Sequence, residues 1–178
     1  MADIMFAGTG GQGVLTAGKI LIEIGAENGK NVCWTSEYSA EMRGGIALCR
    51  VVISDEEIGN PYPDLLDVLC CMSQSAYDSY AGQLRKDAVV ICNSPLFENP
   101  VFPQGTRPYG ADTAALADEA GNPRGANLVL MGAMIRATKM LDPGQCMTAL
   151  KKYFEKKGID ADSNLKCFQL GYDNAAAM

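Results

Sequence analysis

Apolar positions along this chain fall into two patterns, short continuous runs and stretches at helical spacing. Asp3-Ile4-Met5-Phe6-Ala7 is short, apolar and edged by glycine, so it reads as a buried strand. Val14, Leu15, Ala17, Leu21 and Ile22 recur at helical spacing, and Gly29 is a C-cap candidate for that helix. Asn31-Val32-Cys33-Trp34-Thr35-Ser36 reads as a second strand. Strand, helix and strand joined this way predict a right-handed βαβ unit with parallel strands.

The pattern continues to the C-terminus. Ile46 to Ser54 is the most strand-like run, followed by an acidic turn at Asp55-Glu56-Glu57 and an irregular stretch from Ile58 to Pro63. Leu65 to Met72 is apolar enough for a central strand. Ser73-Gln74-Ser75 can cap a helix running through Tyr80 to Leu84. Ala88 to Cys92 is another buried strand. Residues 96–108 carry three prolines and predict a surface excursion, with a short edge strand from Arg107 to Ala111. Asp112-Thr113 can cap a helix to Ala120. Asn127 to Leu141 is apolar nearly all round, the mark of a buried helix. Asp142-Pro143 starts another helix, to Lys156, with a basic outer face at Lys151, Lys152, Lys156 and Lys157. Asp162-Ser163-Asn164 can cap a last short helix to Leu170. No repeat or linker interrupts the order, so residues 1–178 are expected to form one domain. The fold class expected is α/β. It is a single three-layer domain with a mostly parallel sheet, helices on both faces and a Rossmann-like first βαβ unit.

Between the first strand and helix stands Gly8-Thr9-Gly10-Gly11-Gln12-Gly13, four glycines in six residues. Few side chains keep another group from the backbone there, and the free N–H groups of the helix start suit an anion such as a phosphate. The spacing Gly8-x-Gly10-x-x-Gly13 satisfies the dinucleotide fingerprint in its strand–turn–helix context. The plainer alternative is a turn that only packs helix against strand. The fingerprint also wants an acidic residue about 20 residues on, at the end of the second strand. Glu37 is the nearest, but it lies further along, in an apparent loop.

That loop, Glu37-Tyr38-Ser39-Ala40-Glu41-Met42-Arg43-Gly44-Gly45, is the second candidate region. Loops after strand C-termini in open α/β sheets hold ligands. Arg43 beside two glycines can fork onto a phosphate or carboxylate. Equally, it can pair with Glu41 or Glu37 in a solvated turn.

Composition narrows the picture. Hydrophobic residues make up 48% and charged residues 20%, as in a globular protein. Net charge is −6 and no long basic run appears, which argues against a nucleic-acid partner. The seven cysteines show no CxxC spacing and the chain has no histidine, so no zinc or iron–sulfur site on this chain alone is expected. Reduced, core-packed thiols in a cytoplasmic protein fit better. Neither a signal peptide nor an apolar run of 18 residues is visible.

Gly8-Thr9-Gly10-Gly11-Gln12-Gly13-Val14 with Ala17-Gly18 resembles the opening of the gamma subunit of 2-oxoacid:ferredoxin oxidoreductases. So does Tyr38-Ser39-Ala40-Glu41-Met42-Arg43-Gly44-Gly45, followed by Val52 to Ile58, although that family commonly has glycine and proline where Ser39 and Ala40 stand. Asp67-Val68-Leu69, Asn127 with Leu130 and Gly132, and Asn164 with Gly171 extend the similarity over nearly the whole chain. The overall pattern looks closest to the 2-oxoglutarate and branched-chain 2-oxoacid members.

The resemblance implies a subunit of an enzyme that oxidatively decarboxylates a 2-oxoacid, joins the acyl group to coenzyme A and passes electrons to ferredoxin. It implies alpha, beta and ferredoxin-like delta partner subunits. Thiamine diphosphate would sit on alpha and beta, and iron–sulfur clusters on beta and the ferredoxin-like subunit. Coenzyme A is associated with the gamma chain, which would be inactive alone. On this reading the Gly8, Thr9, Gly10, Gly11, Gln12 and Gly13 turn holds phosphate, with Gln12 as a side-chain donor. The loop bearing Tyr38, Arg43, Gly44 and Gly45 would close over the nucleotide or instead form a subunit contact. Two alternatives stay open: a free-standing dinucleotide-dependent oxidoreductase, and a purely structural subunit.

Overall fold

The computed structural model describes residues 1–38, 45–62 and 64–178, and for Tyr38 the backbone alone. Seven strands form one sheet: β1 (Ala2–Thr9), β2 (Asn31–Tyr38), β3 (Ile46–Ser54), β4 (Leu66–Cys71), β5 (Leu84–Asn93), β6 (Arg107–Ala111) and β7 (Ala176–Ala177). The helices are α1 (Val14–Glu27), α2 (Gln74–Tyr80), α3 (Thr113–Glu119), α4 (Ala126–Thr138), α5 (Pro143–Lys156) and α6 (Asp162–Asn174). Among the described residues no helix is long and apolar enough to cross a membrane.

The sheet order is β2-β3-β1-β4-β5-β6-β7. β1, β4, β5 and β6 are parallel neighbours, and β2 runs in the same direction. The first βαβ unit therefore has parallel strands, but they are not adjacent. β3 is inserted between them, antiparallel to both. The reason is local: β2 and β3 are joined by a short connection, which suits an antiparallel pair, whereas a parallel pair needs a longer crossover.

α1 leaves β1 toward β2, and α2 leaves β4 toward β5. The chain thus departs in opposite directions from two adjacent parallel strands, and the crevice between the ends of β1 and β4 is a topological switch point.

Helices cover both faces, unequally. Ile4, Phe6, Cys49, Val51, Val68 and Ile91 face a core built with α1, α4 and α6. Met5, Ala7, Leu69, Cys71, Val90 and Cys92 face α2, through Ala76 and Tyr77, and Phe97. The proline-rich excursion is more than surface. Its Phe97 and Phe102 pack edge-on against Tyr77 at 5.9 and 5.4 Å, and the Tyr77 hydroxyl donates to the Val101 carbonyl at 2.8 Å.

Three expected caps are in place: Ser73, Asp112 and Asp142 each accept a backbone N–H at the first turn of α2, α3 and α5. α4 is buried nearly all round, as its pattern predicts. It meets α6 backbone to backbone. A Cβ on Gly132 would stand 2.0 Å from the Phe168 carbonyl oxygen, and one on Gly171 1.9 Å from that of Val129. Neither contact can be relieved by turning a side chain.

At the far end of β1, the Asp3 side chain is fully buried, with Oδ2 3.0 Å from Arg85 Nη2. Its backbone N–H donates to Asp67 Oδ2 at 2.9 Å, and Asp67 Oδ1 lies 3.2 Å from Arg85 Nη1. Among the described residues no donor lies within hydrogen-bond distance of Asp3 Oδ1. Burial first, and the Asp67 carboxylate second, push the Asp3 carboxyl up against the downward pull of Arg85.

Two predictions follow from this packing. Gly132→Ala or Gly171→Ala is expected to cost about 3 kcal/mol, a fall in thermal midpoint of roughly 6–12 °C. Gly82→Ala, where a Cβ meets nothing within 4 Å, should stay within about 0.5 kcal/mol; equal shifts in all three would refute the close contact. For Asp3, the folded chain holds the proton more tightly than the unfolded chain. Above the ordinary value of 3.8 and up to its raised folded value, its contribution to stability falls as pH rises. In urea unfolding, the wild type should therefore gain relative to Asp3→Asn as pH drops through that window; the opposite slope would overturn the assignment.

Candidate functional site

The glycine turn lies at the switch point. β1 ends at Thr9, and α1 starts at Val14 with Gly13 as its N-cap. Gly11 and Gly13 have φ of 91° and 73°, the left-handed region where a Cβ is disfavoured. No side chain caps α1. Among the described residues, no acceptor within the chain takes the N–H groups of Gly10, Gly11 or Gly13. The first N–H groups of α1 lack intrahelical partners by construction. Among the described residues, nothing beyond the chain neighbours lies within 4 Å of where a Cβ on Gly10 or Gly11 would stand, and both glycines are exposed. The middle of the turn thus carries amides unclaimed by the described residues, beside the positive end of a 14-residue helix.

The flanks are filled. Gln12 Oε1 accepts from the Thr9 N–H at 2.8 Å, and Gln12 Nε2 donates to the Met72 carbonyl at 3.3 Å. The oxygen and one amide hydrogen of Gln12 are thus engaged inside the protein. On the other side, Asn127 Nδ2 donates to the Gly13 carbonyl at 3.1 Å. Asn127 is a buried polar residue in the first turn of α4, which is apolar from Leu128 to Ile135. That misfit, a lone amide in an apolar helix, is the sequence signal that marks it for a polar task.

The second candidate region comes to the same end of the sheet. Ile46, the first residue of β3, is the Cα partner of Thr9, so Gly45 lies beside the glycine turn. The Tyr38 backbone pairs with Ala47 at the end of β2. Arg43 and Gly44, with their candidate ion pairs, lie outside the described residues.

Glu37 is not in a loop; it belongs to β2 and pairs with Leu48. β3 separates it from β1, so at two strand spacings it stands roughly 10 Å from the turn. It raises the Tyr80 phenol, second to burial, which places it near the α2 side of the sheet rather than at the start of α1. The acidic residue of a dinucleotide site is therefore not where that fingerprint needs it.

No thiol is poised to react here. The described cysteines are free, and all but Cys33 are buried. Burial pushes Cys49 up to about 11 and Cys92 to about 12, so both stay protonated at neutral pH. Two lysines of the basic face have local partners: Lys152 pairs with Glu27 at 2.8 Å, and Lys157, just past α5, donates to the Tyr153 hydroxyl at 2.8 Å. Bare amides at the positive end of a helix can bind an anion.

Comparison with known proteins gives consistent matches. The chain is 35% identical over 172 residues to the 2-oxoglutarate synthase subunit KorC of Archaeoglobus fulgidus, covering 96% of this chain and 86% of that one. It is 33% identical to the ketoisovalerate oxidoreductase subunit VorA of Methanothermobacter marburgensis over 96% of its length, but spans only 36% of that relative. The solved keto/oxoacid ferredoxin oxidoreductase gamma subunit from Geobacter sulfurreducens superimposes with a TM-score of 0.82 at 27% identity, over 97% of both chains. The 2-oxoglutarate:ferredoxin oxidoreductase from Magnetococcus marinus, solved with 2-oxoglutarate, coenzyme A and succinyl-CoA bound, gives 0.81 at 26% identity. There the match covers 97% of this chain and 31% of that one. Residues 3–174 match the family described as pyruvate ferredoxin/flavodoxin oxidoreductase, and the chain belongs to that family.

Proposed function

We infer that this chain is the gamma subunit of a 2-oxoacid:ferredoxin oxidoreductase, and that its share of the work is to bind coenzyme A. The complex would decarboxylate a 2-oxoacid oxidatively, transfer the acyl group to coenzyme A and pass electrons to ferredoxin. The relatives' names favour 2-oxoglutarate or a branched-chain 2-oxoacid as substrate. Alpha, beta and ferredoxin-like delta subunits would supply thiamine diphosphate and the iron–sulfur clusters, and this chain alone would not turn over.

One observation carries the coenzyme A assignment. Among the described residues the Gly10–Gly11 amides are unclaimed and the two glycines exposed, at a helix N-terminus, at the switch point of the sheet. Coenzyme A brings a pyrophosphate and a 3′-phosphate to such a site. A phosphate would have room there, since among the described residues nothing beyond the chain neighbours lies within 4 Å of a Cβ on Gly10 or Gly11. Coenzyme A bound in the Magnetococcus marinus enzyme supports the reading. In this proposal Thr9 and Gly13 border the phosphate, Arg43 is its charge partner, and Tyr38, Gly44 and Gly45 belong to the loop that closes over the nucleotide. The position of Glu37 disfavours a free-standing dinucleotide-dependent enzyme.

Isothermal titration of the chain with coenzyme A tests this. Gly10→Ala puts a methyl into the open space without touching the fold, so the thermal midpoint should hold while affinity falls about tenfold or more, ~1.4 kcal/mol. Arg43→Ala should weaken binding and flatten its dependence on salt. Wild-type affinity in both variants would remove the turn and the loop from the coenzyme A site.

A further inference from the structure

The glycine motif contains four glycines, and the structure divides them into two pairs. A Cβ on Gly8 would stand 2.5 Å from Gln12 Oε1 and 2.9 Å from the Met72 Cβ. A Cβ on Gly13 would stand 2.9 Å from Asn127 Nδ2. Gly8 and Gly13 therefore make room for the protein's own side chains. Gly10 and Gly11 have no such neighbour among the described residues. Of the four, the middle pair is the one the described side chains leave for a ligand.

What occupies the space over Gly8 is the Gln12 carboxamide. It braces the turn after β1 against the residue that follows β4, the adjacent parallel strand. Its oxygen takes the N–H of Thr9, the last residue of β1, at 2.8 Å. Its nitrogen gives a hydrogen to the carbonyl of Met72, just past β4, at 3.3 Å. Met72 is itself held to β1, its N–H donating to the Ala7 carbonyl at 2.9 Å. A carboxamide carries the required acceptor and donor on one rigid plane. A carboxylate of the same length lacks the donor, and an apolar side chain lacks both.

We propose that Gln12 is a positioning residue. It clamps the turn after β1 to the end of β4 and so fixes the Gly10 and Gly11 amides toward the crevice before any ligand arrives. It acts on the ligand through the backbone. Asn127 does the matching task on the other flank by holding the Gly13 carbonyl. Amides held in place before binding lose less freedom when they bind, and affinity rises accordingly. The inference rests on the coenzyme A reading above and adds to it which residues shape the site.

Amide hydrogen exchange by NMR on the full chain, with coenzyme A as the probe, separates the two claims. In the free wild type the Thr9 amide should exchange slowly, because the clamp is present without ligand. Added coenzyme A should protect Gly10 and Gly11 and leave Thr9 as it was. Gln12→Met keeps the side chain's length and removes both hydrogen bonds. It should speed exchange at Thr9 at least tenfold and weaken coenzyme A about tenfold at a temperature where the variant is fully folded.

A fast-exchanging Thr9 amide in the free wild type would overturn the clamp, as would loss of its protection when coenzyme A binds. These wild-type measurements decide even if the variant does not fold. Unchanged coenzyme A affinity in a variant whose Thr9 amide is exposed would make Gln12 merely structural, and is failure of this inference alone. A wild type that binds no coenzyme A while Thr9 stays protected is failure of the functional reading, and removes the positioning role with it.

Discussion

The hydrogen-bonded pairing of β3 with β1 is the constraint on which the architecture turns. β3 runs antiparallel to β1 along its whole length, from Ala2 opposite Ile53 to Thr9 opposite Ile46. This occupies the edge of β1 that β2 would take in a plain Rossmann unit. Three consequences follow. β2 becomes the outer strand and carries Glu37 away from the glycine turn. The only parallel neighbour left to β1 is β4, which fixes the switch point between them. And because Ile46 sits opposite Thr9, the β2–β3 connection returns to the sheet beside the glycine turn. A ladder of backbone hydrogen bonds thus brings two regions far apart in sequence to one end of the sheet.

Much of this was legible in the residues, for identifiable reasons. Caps announce themselves because Ser73, Asp112 and Asp142 are short polar side chains just before apolar helical spacing, with Pro143 suited to a first turn. The buried α4 is legible because its apolar residues leave no polar stripe. Strand order was not legible, since hydrophobic pattern specifies which residues pair with a core and says nothing about which strand lies alongside. β5 begins four residues before the apolar run at Ala88, its start being exposed and polar and including Asp87 at a φ of 67°. β7 is two alanines, too short and plain to signal a strand. α6 runs past Leu170 to Asn174, and the first N–H groups, of Asp162 and Ser163, donate to the Asp160 carboxylate, two residues before the cap expected at Asp162.

The site was legible in outline and not in detail. Four glycines in a strand–turn–helix context point to backbone amides, and the structure leaves those of Gly10 and Gly11 open. The direction of Gln12 could not be read, because a glutamine beside glycines serves equally as a ligand donor or as an internal brace. Only the carbonyl of Met72, sixty residues away in sequence, distinguishes them. Gly132 and Gly171 show the same limit. In sequence each is a helix-weakening residue. In three dimensions they are the points where α4 and α6 touch backbone to backbone.

The motif also shows why a fingerprint can be met without its usual partner. Gly8-x-Gly10-x-x-Gly13 encodes a turn in which amides can approach an anion, and nothing in that spacing concerns a ribose. Ribose recognition needs an acidic residue on the adjacent parallel strand. Here that edge of β1 belongs to β3, whose residue opposite the turn is Ile46. The glycine spacing of the fingerprint is therefore present and its acidic partner is displaced. A ligand suited to this sheet is one whose phosphates dominate recognition at the turn and whose remaining contacts come from elsewhere. Coenzyme A, with its pyrophosphate and 3′-phosphate, meets that description better than a nicotinamide dinucleotide.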